Sequence, residues 1–169
     1  SFMSFHISVG VANSIGVMYN SFRGGTPMVI TAGQSHTSLQ LHEPNLHSNM
    51  VNVMREYTKW SGEIVSPWDM VSVMRRAFKI AHDPPAGPVF VALPINVMEQ
   101  ETENLAIPGG MLYRTPGVDP VAVQDLAQHL LGAKAPAIVI GDDVARTGAG
   151  AALLVQAPRG LRADAPAQR

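Results

Sequence analysis

His6 is the residue of this chain best placed, by type and position, to do chemistry. It closes a short apolar and aromatic run, Phe2 to His6, that reads as a buried strand, and it precedes a Gly-x-x-Asn turn at Gly10 to Asn13. Histidine exchanges a proton near neutral pH, which suits acid/base catalysis. In open parallel sheets ligands sit beyond the carboxyl ends of the strands, so the address is right. A lone histidine there is more often structural, and spacing alone does not separate the two. Gly10, Asn13 and Gly16 make the turn and the helix start, and a glycine lets backbone come close to a ligand ring. For Gly16, helix–strand packing explains the residue equally well. The spacing is wrong for Gly-x-Gly-x-x-Gly, so a dinucleotide motif is not supported.

Three other groups tempt and fail. His36, His42 and His47 gather near Glu43, but His42-Glu43-Pro44-Asn45-Leu46-His47 is not His-Glu-x-x-His. The second histidine comes one residue late, and Pro44 disturbs the helical face that would align two imidazoles, so a solvated loop is expected. Gly141-Asp142-Asp143 follows an apolar run with nothing suitable after it to complete a metal site. Ser21, Ser35 and Ser48 lack a Gly-x-Ser-x-Gly setting, and a hydrolase is not supported. No metal site is assigned.

The elements that must position these residues alternate. After the first strand, Val11, Ile15, Met18, Tyr19 and Phe22 stand at helical spacing from Gly10 to Phe22, stopped by Arg23-Gly24-Gly25. Pro27 to Ala32 reads as a second strand and Gly33 to Pro44 as a polar loop. Leu46 to Arg55 reads as a helix, and Tyr57 to Trp60 as a third strand. Ser66-Pro67-Trp68-Asp69 is a helix start, with Ser66 as cap. The apolar stripe Met70, Val71, Met74, Ala77, Phe78 and Ala81 follows, and Asp83 to Pro88 breaks it. Val89 to Leu93 is a fourth strand. Strands alternating with helices predict an α/β fold, an open parallel sheet with helices on both faces. Residues 99–118, with Glu99, Glu101, Glu103 and Pro108-Gly109-Gly110, read as a linker. Asp119-Pro120 caps a new helix through Leu131, stopped by Gly132. Ala137 to Ile140 reads as a fifth strand, and Gly148 to Gln156 as the next helix. Residues 157–169 are an irregular tail, fitting either a truncated or frameshifted ending or a natural flexible one.

The composition bounds the classes. The chain has 169 residues, 46% hydrophobic and 15% charged, the balance of a buried-sheet protein. A net charge of -1 gives no basic field to hold nucleic acid or anionic lipid. With no cysteine there are no disulfides or thiolate metal sites. No apolar run approaches the roughly 18 residues that cross a bilayer, and no signal-peptide pattern opens the chain. A soluble, cytoplasmic protein is expected.

The order Phe2 to Gly16, then Thr26-Pro-Met-Val-Ile-Thr-Ala-Gly-Gln34, resembles the pyrimidine-binding domain of thiamine-diphosphate enzymes. Benzoylformate decarboxylases carry a similar Leu/Phe-His step before Gly-x-x-Asn; acetolactate-synthase-like relatives lack that histidine. The resemblance covers residues 1–156. It implies residues 1–98 as part of the pyrimidine-binding domain and 119–156 as the start of a second, Rossmann-like central domain. It implies thiamine diphosphate as cofactor, with magnesium, and decarboxylation of a small 2-oxo acid. His6 would serve acid/base steps. Backbone around Val9 and Gly10, with Asn13, would face the cofactor's aminopyrimidine. Gln34, Asn45 and Leu46 would border the substrate, and Asn45, where two apolar residues usually stand, puts an aryl substrate in doubt.

The family's glutamate that touches the pyrimidine precedes the strand of His6, and its diphosphate and magnesium site lies in a later domain. The chain is therefore expected to be a fragment, inactive alone, of a parent that is a homo-oligomer. An exposed sheet edge, where the first strands should be, would promote association. The alternatives are an acetolactate-synthase-like carboligase and a non-catalytic α/β binding or interaction module.

Overall fold

The computed structural model describes residues 1–103 and 117–150. They fall into two compact units, Ser1–Thr115 and Pro116–Arg169. In the first unit four strands, β1 (Phe2–Phe5), β2 (Met28–Gln34), β3 (Trp60–Glu63) and β4 (Pro88–Pro94), form one sheet in the order β1-β2-β4-β3. Every pairing is parallel: Phe5 lies beside Ala32, Gln34 beside Pro94, and Glu63 beside Ala92. The inner strands β2 and β4 are buried on both faces, and the alternation of their side chains shows how; β1, expected from sequence as a buried strand, is exposed up to the half-buried Phe5, because it is an edge strand. Ile30, Ala32, Phe90 and Ala92 pack with Val11 and Met18 of α1 (Ile7–Arg23) and Met50 and Met54 of α2 (Met50–Met54). Val29, Val89 and Val91 turn the other way, onto Ala77 and Ala81 of α3 (Met70–His82) and Val97 of α4 (Ile95–Glu99). This is the expected open parallel α/β sheet with helices on both faces. Its near-continuous apolar strands are what two-sided burial demands.

Several boundaries differ from the expectation, each for a local reason. The first helix begins at Ile7 rather than Gly10, with His6 as its N-cap, so Gly10, Asn13 and Gly16 lie inside the helix. The second strand runs on to Gln34, because β4 pairs with it to its end. The expected loop holds a 3-10 helix at Thr37–His42, capped by His36, whose side chain accepts from Ser38 N. The helix expected from Leu46 starts only at Met50. Leu46 has φ 69, outside helical geometry, and the Asn49 side chain caps by accepting from Asn52 N. The third strand is three residues later than expected. Tyr57 ends a 3-10 turn, Arg55–Tyr57, and the chain becomes a strand only where β4 offers partners to Trp60–Glu63. Ser66 makes no side-chain cap, and a 3-10 turn, Pro67–Asp69, precedes α3.

In the second unit α5 (Pro120–Gly132) starts as expected, with Asp119 accepting from Val121 N at 2.9 Å. Ala137 to Ile140 is not a strand. It has no ladder partner among the described residues, and hydrogen-bonded pairing is what makes an apolar run a strand. The chain then enters α6 (Asp142–Arg146), where Arg146 pairs with Asp142 and Asp143. Most of the linker, and the next helix and tail from residue 151, lie outside the described residues.

Candidate functional site

The loops that leave adjacent strands β2 and β4 lead to helices on opposite faces, α2 and α4. Such a switch opens a crevice at the carboxyl ends of the strands. His6 stands on this edge, at the end of β1. Its backbone is extended (φ -70, ψ 144), its side chain makes no capping bond, and it is exposed. Its carbonyl oxygen accepts from Gly10 N at 3.1 Å, the bond that closes the first turn of α1. The amides of Ile7, Ser8 and Val9 precede that bond, as in any helix start, and carry the positive end of the helix dipole.

The three cofactor residues expected from sequence separate here. Val9 is half exposed beside His6 in sequence, in the first turn of α1. The Gly10 amide is committed to His6. A Cβ on Gly10 would stand 3.3 Å from Phe5 Cβ and 3.4 Å from His6 Cβ, so the glycine lets α1 settle on the end of β1. A Cβ on Gly16 would meet nothing within 4 Å, so the packing role considered for Gly16 belongs to Gly10. Asn13 is exposed, seven residues or about 10 Å up the helix from His6.

On the neighbouring strand end Gln34 is buried, with one bond at each end of its amide. Its Nε2 donates to Ser48 O at 3.1 Å, and its Oε1 accepts from Ser35 N at 2.8 Å. Asn45 and Leu46 are exposed on the loop beyond it. That loop is tied to the amino end of α1: the Ser8 hydroxyl donates to Leu46 O and lies 2.7 Å from Ser48 Oγ. Beneath the loop is a cavity of about 170 Å³ lined by Gln34, Gln40, His47, Ser48, Asn49 and Glu63. Gln40 Nε2 donates to Glu63 Oε1 at 2.9 Å. His47 Nδ1 is buried with no hydrogen-bond partner among the described residues.

Sequence reasoning missed Gln40 and Glu63 and placed His47 in a solvated loop. Glu63 was hidden by the three-residue error in β3; a strand ending at Glu63 would have put its carboxylate on the same edge as His6. Gln40 and His47 carry no local signal, because only the fold of the 35–49 segment over the sheet brings them to Glu63.

The donor set allows a test of thiamine diphosphate, the cofactor the resemblance implies. Helix-start amides beside the exposed Val9 side chain suit a heterocycle with acceptor nitrogens and an apolar ring face. The cavity suits no diphosphate, since it is lined by the Glu63 carboxylate and by no lysine or arginine. The residues present therefore fit the ring half of the cofactor. Among the described residues no group of three or more histidines or carboxylates could hold a metal ion.

No protein-family model matches the chain. It is 28% identical over 152 residues to benzoylformate decarboxylase of Pseudomonas aeruginosa, covering 85% of this chain and 28% of that enzyme. It is 33% identical over 88 residues to the mitochondrial acetolactate synthase catalytic subunit of Saccharomyces cerevisiae, covering 52% of this chain and 13% of that protein. The crystal structure of benzoylformate decarboxylase from Polynucleobacter necessarius superposes with a TM-score of 0.74 and 33% identity, over 88% of this chain and 28% of that one. The chain thus spans under a third of the length of the relatives it matches.

Proposed function

Because the chain belongs to the thiamine-diphosphate-dependent enzymes that include benzoylformate decarboxylases and acetolactate synthases, we propose that it is part of a non-oxidative 2-oxo acid decarboxylase. Residues 1–98 belong, in this reading, to the pyrimidine-binding domain and 119–156 to the start of the central domain. The single observation that carries it is His6, exposed and without a capping bond at the amino end of α1, on the edge of the sheet where ligands bind.

Bound thiamine diphosphate supplies the electron sink that lets carbon dioxide leave a 2-oxo acid. The residues of this chain supply orientation and protons. The amino end of α1 presents Val9 and its amide to the pyrimidine ring, while Gly10 keeps the helix seated on β1. The His6 imidazole moves a proton to and from the substrate's 2-oxo oxygen. Gln34, Asn45 and Leu46 border the substrate's side chain; Asn45 favours a polar or small acid, since an amide in a dry pocket needs partners. Magnesium and the diphosphate belong, by resemblance, to another domain of a cytoplasmic homo-oligomer.

The test uses the intact protein. His6→Ala is expected to slow turnover of a 2-oxo acid by about 100-fold or more, the usual scale for loss of a general acid/base. Nearly normal turnover by a folded variant would return His6 to a structural role.

A carboligase similar to acetolactate synthase is the second reading, favoured by the higher identity, 33%, over the shorter 88-residue match. Incubation with pyruvate alone separates the two, since a decarboxylase releases an aldehyde and a carboligase joins two substrates.

A further inference from the structure

We propose that the cavity between Gln34 and Glu63 is a subsite for an ammonium group at the far end of the substrate. The inference deepens the decarboxylase reading and rests on it for the word substrate alone. Its grounds are a carboxylate with no cation beside it and the direction of the hydrogen bonds around it. The Ser8 hydroxyl has one, and it goes to Leu46 O. The hydrogen in the 2.7 Å contact between Ser8 and Ser48 therefore comes from Ser48, whose lone pairs stay open. Gln34 Nε2 donates to Ser48 O, and Gln40 Nε2 donates to Glu63 Oε1 and, at 3.4 Å, to Ser35 O. These donors are turned inward, onto the protein itself.

The Asn49 Nδ2 hydrogens and the second hydrogen of Gln34 Nε2 stay uncommitted, but the only charge that lines the cavity is the Glu63 carboxylate, and open acceptors stand beside it. Glu63 keeps its second carboxylate oxygen and Ser48 its hydroxyl lone pairs, and the His47 ring lines the same space, its own Nδ1 buried. An ammonium brings three donors and the charge that Glu63 favours. A second carboxylate or a phosphate would meet a carboxylate with no lysine or arginine beside it. Size points the same way. About 170 Å³ is the space of roughly six waters at about 30 Å³ each. That is below the ~300 Å³ at which pockets take whole ligands, so the cavity holds the end of a molecule. It adjoins the amino end of α1 through the Ser8–Ser48 bond, two residues from His6.

The experiment follows the ring nitrogens of ¹⁵N-histidine-labelled chain by long-range ¹H–¹⁵N spectra while ethylammonium chloride is added. Sodium chloride and sodium propionate at matched ionic strength are the controls. A saturable shift of His47, seen with ethylammonium and with neither control, is expected. Glu63→Gln, which keeps the shape, should weaken the apparent affinity by about tenfold or more. Glu63→Asp, which keeps the charge and withdraws it by one methylene, should weaken it less, and serves if Glu63→Gln fails to fold. No saturable shift, an equal response to propionate, or unchanged affinity in a folded Glu63→Gln chain overturns the proposal. The measurement needs no turnover. Its failure rejects the subsite and leaves the decarboxylase reading standing, whereas an intact wild-type protein that turns over no 2-oxo acid would reject that reading and leave ammonium binding as measured.

Discussion

Lys59 shows a charge used for architecture. Its Nζ donates to Ile80 O and, at 2.6 Å, to Asp83 O, so it ties down the carboxyl end of α3. Its stem lies where a Cβ on Gly87 would stand, 3.0 Å from Lys59 Cγ and Cδ. Desolvation lowers its pKa from the ordinary 10.5; the Asp83 carboxylate raises it back in part, and Lys79 adds to the lowering. The unfolded chain therefore binds this proton more tightly than the folded one. Stability rises with pH through the window from the lowered folded value up to 10.5, and that slope is absent once the amine is removed. Lys59→Met is expected to cost about 1.5–3 kcal/mol, the worth of hydrogen bonds to a charged donor, and to flatten this alkaline slope in urea titrations. An unchanged midpoint would mean that water satisfies the two carbonyls equally well. At Asn45 the expectation concerns specificity. Asn45→Leu in the intact enzyme should shift the kcat/KM ratio toward aryl acids by about 1–3 kcal/mol of added apolar contact. An unchanged ratio would put Asn45 outside the pocket.

At the scale of elements, β3 is an edge strand held by a small side-chain stack. Trp60 folds along its own strand, so a Cβ on Gly62 would meet the indole at 2.7 Å. On α3, Arg76 places its guanidinium 5.2 Å from the same ring's centroid. A glycine inside a strand often marks a close approach of this kind. Gly62→Ala should push the ring off the strand and remove the cation–π contact, costing about 0.5–1 kcal/mol. A shift in tryptophan emission would report the movement. Unaltered emission in the variant would show that the ring does not depend on the glycine. The 35–49 segment is secured differently, by the His36 and Asn49 caps and by Glu43 and Leu46 in left-handed backbone, φ 48 and φ 69. Those turns are what deliver His47 to the cavity.

For the molecule as a whole, the other edge of the sheet is the vulnerable one. Strand β1 pairs with β2 on one side, and no described residue pairs with it on the other. Phe2 and Met3 are 56% and 42% exposed there. Edges with open backbone groups and apolar side chains recruit other chains. The chain should self-associate as concentration rises, and Met3→Lys, a charge on the edge, should reduce that in light scattering coupled to size exclusion. A chain that stays monomeric at all concentrations would show the edge to be protected in solution. In the second unit Ile138, Val139 and Ile140 are exposed as well, at half or more of their surface.

The sequence by itself determined the class of fold, because the relevant signals are local. Three apolar runs, which become β1, β2 and β4, and the helical stripes between them point to a parallel sheet with helices on both faces, and His6 at the end of the first run falls on the ligand edge of any such sheet. The family resemblance was legible for the same reason, in the Phe5-His6 step and the Gly33-Gln34 strand end. Tertiary structure alone decided where strands stop, since β3 exists only where β4 offers hydrogen bonds and the run Ala137–Ile140 has none. It alone decided that Gly10, rather than Gly16, seats the helix, and that Gln40, His47 and Glu63 meet. Their separation in sequence is bridged by two left-handed residues, a 3-10 helix and a parallel pairing, none of which has a periodicity to read. A site built from distant residues is the product of a register, and a register is set by partners.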